Sequence, residues 1–150
     1  MSKSILISKK DEWGTPQKLF DELDKKYNFT LDPCANKKRV LKENMISLDI
    51  KDNGLLYNFS NHSVFINPPY SKNNIQKWCK KIYDEKDKVG VIVLIIPVTK
   101  LSNKYFHQYI YPYCKIEIQQ GRLSFFPLNN QNNNSNPVGS VICIIGRELL

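Results

Sequence analysis

Short apolar runs alternate along this chain with stretches whose apolar residues recur at helical spacing. Val91-Ile92-Val93-Leu94-Ile95-Ile96 is continuous, the pattern of a strand buried on both faces, and Pro97 stops it. Val64-Phe65-Ile66 runs straight into Asn67-Pro68-Pro69-Tyr70. A proline ring fixes φ and donates nothing to a sheet ladder, so this strand must stop at Asn67. The residue before a proline is itself held extended, so Asn67 should project its amide from the strand's carboxyl end. Phe29-Thr30-Leu31 predicts a short strand ending in Asp32-Pro33-Cys34-Ala35. Lys115 to Gln119 alternates as a strand, and Val141-Ile142-Cys143-Ile144-Ile145 predicts the strand that closes the sheet, ended by Gly146.

Three helices are predicted between the strands. Leu19, Phe20, Leu23 and Tyr27 share one face, behind Thr15 as N-cap and Pro16 at the first helical position. Ile75, Trp78, Cys79 and Ile82 share another, after the polar cap Ser71-Lys72-Asn73-Asn74. Leu101, Tyr105, Phe106 and Tyr109 define the third, with Thr99 as its cap. Lys37 to Glu43 reads as a basic, weakly helical patch, and Leu48, Ile50, Leu55 and Leu56 as core. Residues 1–10 are expected to be an arm or an added short strand at Ile5-Leu6-Ile7, and Asn129 to Asn136 a low-complexity loop. Strands alternating with helices make the fold class α/β, a sheet with helices on both faces, in one domain over residues 1–150.

Composition narrows the partners. The 22 basic and 14 acidic residues leave a net charge of +8, which favours an anionic partner. Arg39, Arg122 and Arg147 are the arginines, so the charge is nearly all lysine, a point charge suited to backbone phosphates more than to base readout. Cys34, Cys79, Cys114 and Cys143 are widely spaced, without CxxC or a histidine cluster, which argues against a metal site and a disulfide framework. The longest apolar run, Val89 to Val98, is far short of the ~20 residues a membrane helix needs, and the expected compartment is cytoplasmic.

The stretch Asn67-Pro68-Pro69-Tyr70 resembles the catalytic motif of the S-adenosylmethionine-dependent amino-methyltransferases, which modify adenine N6, cytosine N4 or glutamine amides. With Trp13-Gly14-Thr15-Pro16, Leu31-Asp32-Pro33-Cys34-Ala35 and Gly121-Arg122-Leu123-Ser124-Phe125 in the same order, the chain is similar to the small phage-type DNA adenine-N6 methyltransferases (Dam-like) from about Asp11 to Gly146. The resemblance implies an abbreviated Rossmann-like methyltransferase sheet. It implies a cofactor pocket lined by Trp13, Thr15, Pro16, Asp32, Cys34 and Ala35, with Asp49 toward the ribose hydroxyls. The glycine-rich loop usual in this fold is absent after Asp32. A sulfonium cofactor carries no phosphate, so glycines for close phosphate approach are not required.

The same resemblance implies that Asn67, through its side-chain oxygen, and Pro68, through its backbone carbonyl, accept from the amino group of adenine. Pro69 fixes the loop and Tyr70 stacks on the base. Double-stranded DNA is the implied partner, with the target base flipped out of the stack and contacts from Lys38, Arg39, Lys72, Asn73 and Arg122. Lys37, Lys42, Lys77, Lys80 and Lys81 are further candidates for phosphates. Cytosine N4 or a protein glutamine amide as acceptor, or a basic DNA-binding module without catalysis, are the readings against which this one is set.

Overall fold

The structure, a computed structural model, describes residues 13–36, 39–118, 126–127 and 139–146. Ile5-Leu6-Ile7, Lys37, Lys38, Gly121 to Phe125 and Asn129 to Asn136 lie outside them. For Trp13, Ile50, Lys72, Phe126 and Pro127 the backbone alone is described.

In chain order the elements are β1 (Trp13–Gly14), α1 (Gln17–Tyr27), β2 (Leu31–Asp32), β3 (Ile46–Ser47), β4 (Ser63–Ile66), α2 (Lys72–Glu85), β5 (Val91–Pro97), α3 (Lys104–Tyr109), β6 (Cys114–Ile118), β7 (Phe126–Pro127) and β8 (Ser140–Ile145). Among the described residues, six strands make one sheet in the order β3-β2-β4-β5-β8-β6. The β3, β2, β4 and β5 strands are parallel, and β8 runs antiparallel between β5 and β6. A separate antiparallel pair joins β1 to β7, with Trp13 opposite Pro127 and Gly14 opposite Phe126. The α/β class and the methyltransferase-like sheet expected from the sequence are what the chain adopts.

All seven residues of β5 are buried, as its unbroken apolar run predicts. Alternation divides them between two cores. Ile92, Leu94 and Ile96 face α2 and α3, beside Val64, Ile66, Trp78, Cys79, Ile82 and Phe106. Val91, Val93 and Ile95 face α1, beside Leu19, Phe20, Leu23, Phe29 and Phe65. Each fully buried aliphatic of this strand contributes roughly 1.5–3 kcal/mol from removing its side chain from water. On the α1 side, Phe20 meets Phe65 edge-to-face at a ring separation of 5.1 Å, and Phe29 lies 5.3 Å from Phe65. This aromatic contact anchors α1 to the strand that carries Asn67.

Four local expectations are corrected. Pro16, not Thr15, stands at the N-cap position of α1, with no side-chain cap bond, and Thr15 is engaged elsewhere. Thr99 is exposed in a short 3-10 turn (Val98–Lys100), and α3 begins behind Asn103. The described part of the basic patch, Arg39 to Glu43, is bend and turn rather than helix, because Lys42 is pulled onto the end of α1. Its ammonium donates to Asp24 Oδ1 (3.0 Å), Asn28 Oδ1 (3.1 Å) and the Phe29 carbonyl (3.0 Å). Leu56 is 82% exposed: a three-residue 3-10 turn (Gly54–Leu56) directs Leu55 inward and Leu56 outward.

Between β2 and β4 the described chain forms one two-residue strand, β3, and two 3-10 turns, the abbreviation that some 30 residues allow. Gly54 lets the second turn rest on the loop after β2. A Cβ built there would lie 2.2 Å from the Pro33 carbonyl oxygen and 2.9 Å from Trp78. Gly54→Ala is therefore expected to destabilise the protein by about 1–3 kcal/mol, as overpacking does. Denaturant unfolding checks this, and wild-type stability in the variant would mean that the close approach does not hold the Asp32 turn.

Candidate active site

The sheet order places a crevice between β2 and β4. From β2 the chain proceeds outward to β3, then returns to the other side of β2 to form β4 and β5. Ligands of open α/β sheets bind at such a reversal, beyond the carboxyl ends of the strands. Asp32 ends β2 and Asn67 directly follows β4. Leu31 is level with Val64, so Asn67 stands two residues, roughly 6–7 Å, beyond the level of Asp32 on the adjoining strand.

Pro68 is buried and sets the direction in which Asn67 leaves the sheet. The half-buried carboxamide of Asn67 is held at both ends. Its Nδ2 donates to Thr15 Oγ1 at 2.9 Å, and its Oδ1 accepts from the Tyr70 hydroxyl at 2.7 Å. Tyr70 is half-buried against the α2-side core, and burial pushes its phenol well above its ordinary range, so it stays a proton donor.

Asp32 is 4% exposed. Its Oδ1 accepts from the Cys34 backbone N–H at 3.1 Å, and no described cationic side chain pairs with it. Burial pushes the carboxyl up to about 7, against a smaller lowering by that hydrogen bond. The Cys34 thiol is raised too, by burial first and by Asp32 second, so it remains a neutral packing group. Backbone bonds from Ala35 N to the Leu48 carbonyl (2.8 Å) and from Leu48 N to the Asp32 carbonyl (2.9 Å) fix this loop against the segment after β3.

Asp49 lies on the same edge, just beyond β3. Its carboxylate accepts from Lys51 N (2.9 Å), while Asp52 accepts from Asp49 N (3.0 Å), a reciprocal cap on the following turn. At the start of α2, Asn73 lines a groove of about 650 Å³ with Gln76, Lys77 and Lys80. Lys80 is paired with Asp84, and Lys81 with Glu85 and the Tyr57 carbonyl, so neither is a free cation. Lys38 and Arg122 lie outside the described residues.

The structure thus brings Thr15, Asn67 and Tyr70 into contact, with Asp32 on the adjacent strand. The hydrogen bonds at the two ends of the Asn67 amide have no signature in the sequence. Fifty-two positions separate Thr15 from Asn67, and a hydroxyl before proline reads locally as a helix cap. Among the described residues no helix is long and apolar enough to cross a membrane, and no group of three or more His, Cys, Asp or Glu could hold a metal ion.

A family model described as DNA N-6-adenine-methyltransferase (Dam) matches residues 2–149 of the chain. No curated protein and no solved structure matches it.

The raised pKa of Asp32 carries a pH signature. Unfolded, an aspartate titrates near 3.9, so the folded state favours the neutral acid. That contribution to stability is complete below about pH 4 and is lost as the pH rises through about 7. Without ligand, the wild type should therefore lose more thermal stability between pH 5 and pH 8 than Asp32→Asn does. Parallel melting curves would argue against a buried, uncompensated carboxyl.

Proposed function

The chain belongs to the DNA N-6-adenine-methyltransferase (Dam) family and is an adenine-specific DNA methyltransferase, and from this we propose that it transfers a methyl group from S-adenosylmethionine to an adenine flipped out of duplex DNA against Asn67-Pro68-Pro69-Tyr70. The observation that carries the proposal is the Asn67 carboxamide fixed at the carboxyl end of β4, beside the crevice between β2 and β4.

The residues of the crevice suit the cofactor. Asp32 is a buried carboxylate with no described counter-charge, the kind of group an amino-acid ammonium would satisfy. Trp13, Thr15, Pro16, Cys34 and Ala35 adjoin the same edge in sequence, and Asp49, just beyond the next strand outward, is the candidate for ribose hydroxyls. When bound, S-adenosylmethionine supplies a methyl group activated by its sulfonium.

The protein's own part is positioning. The exocyclic nitrogen of adenine is a poor nucleophile because its lone pair is delocalised into the ring. Asn67 Oδ1 and the Pro68 carbonyl accept its two N–H bonds, drawing the amine toward tetrahedral geometry and freeing the lone pair for attack. The Tyr70 hydroxyl donates to Asn67 Oδ1, so the incoming amine shares that oxygen or replaces the phenol. The Tyr70 ring then serves as the stacking surface, worth on the order of 1–3 kcal/mol per base. No general base is needed before attack, because the proton leaves after the nitrogen has become positive. On the DNA side, Arg39 and Lys72, with the groove of Asn73, Gln76 and Lys77, are the candidates for phosphate contacts, and Lys38 and Arg122 complete the set.

Asn67→Ala should abolish transfer of labelled methyl to DNA while leaving cofactor affinity nearly unchanged; near-normal transfer would remove the mechanism. Label appearing in cytosine or in protein would favour the other acceptors. Asp32→Ala should weaken cofactor binding measured by calorimetry. In the wild type the affinity should fall below about pH 7, because a cation must then displace the Asp32 proton. Unchanged affinity in the variant would retire Asp32 from this role.

A further inference from the structure

A carboxamide presents an acceptor at one end and a donor at the other, alike in size, so only its hydrogen-bond partners decide which end faces a substrate. For Asn67 that decision involves a residue far away in the sequence. Thr15 is 5% exposed, and its Oγ1 accepts from Asn67 Nδ2 at 2.9 Å. Two anchors fix its place. The Trp13–Gly14 strand before it is paired with Phe126–Pro127, and the helix after it is pinned to β4 by Phe20 against Phe65. Thr15 makes no cap bond to α1, which leaves its hydroxyl committed to the carboxamide.

We propose that Thr15 is a positioning residue for adenine methylation: by engaging Asn67 Nδ2, it keeps Asn67 Oδ1 turned toward the target amine. This rests on Asn67 being the acceptor of that amine. It gives Thr15 a role separate from contact with the cofactor, the role its neighbourhood in the sequence suggests. Without the threonine oxygen, the Nδ2 end loses its partner in a half-buried site, and the amide is left to Tyr70, whose hydroxyl can donate to Oδ1 or accept from Nδ2 and so does not by itself fix which end faces the amine. An acceptor present in the right place only part of the time slows the chemical step without altering how DNA or cofactor binds.

The test uses Thr15→Val, which keeps the shape and removes the oxygen, and Thr15→Ser, which keeps the oxygen. Valine should lower kcat about 10- to 100-fold, the scale of a misplaced catalytic group. KM for DNA and the affinity for S-adenosylhomocysteine should stay at wild-type values, and serine should restore most of the rate. Wild-type kcat in the valine variant overturns the proposal. So does weakened S-adenosylhomocysteine binding, which would make Thr15 a cofactor contact. A fall in melting temperature in both variants, with no rescue by serine, overturns it in favour of a packing role. The wild type run alongside separates the two levels of inference. If it forms no N6-methyladenine, the reading of the whole site fails; if it does and valine matches it, only the role of Thr15 fails.

Discussion

An asparagine side chain cannot hold its own orientation, and the candidate chemistry depends on Asn67 holding one. The peptide before Pro68 fixes where the residue leaves β4, but the plane of its amide is set by Thr15 on one side and Tyr70 on the other. Two segments distant in the chain, Thr15 ahead of α1 and the loop from Asn67 to Tyr70, must therefore converge within hydrogen-bond range of one group. The architecture achieves this through β4, which carries Asn67 at its end and Phe65 two residues earlier. Because successive strand side chains alternate, Phe65 faces α1 and gives that helix its docking point, and the docked helix places Thr15.

The crevice is completed with very little chain. The β2 and β3 strands have two residues each, and the connection back to β4 is two 3-10 turns. Such short elements gain little from their own ladders, so specific contacts hold them. The loop after Asp32 is bonded to Leu48 and lies under Gly54, while Lys42 ties the end of α1 to Phe29 just ahead of β2. The result is a carboxylate buried without a described counter-charge at the edge of the sheet, a local cost that a cationic ligand removes.

The positive charge of the chain is also more structured than a total suggests. Lys42 staples α1, while Lys80 and Lys81 lie in ion pairs along α2 and over aromatic rings. Such lysines contribute to the long-range field that attracts DNA, but their ammonium groups are already engaged. A net charge of +8 therefore indicates an anionic partner without naming the residues that touch it.

The sequence by itself determined the strand that ends at Asn67, the doubly buried β5, and the inward faces of α1 and α2, and it carries the motifs on which the resemblance to the family was drawn. Each of these is a local matter: proline geometry, alternation, helical spacing, or residues adjacent in the chain. It misplaced the caps of α1 and α3 and put Leu56 in the core, because a hydroxyl or an apolar side chain is judged locally by propensity alone. Tertiary structure decided that Thr15 bonds Asn67 rather than capping its helix, that Tyr70 occupies the Asn67 oxygen, and that Lys42 is a staple. It also decided that Asp32 is buried enough to hold its proton to about pH 7. The reason is physical: hydrogen-bond partners and desolvation depend on which segments meet in space, and no spacing along the chain encodes that meeting.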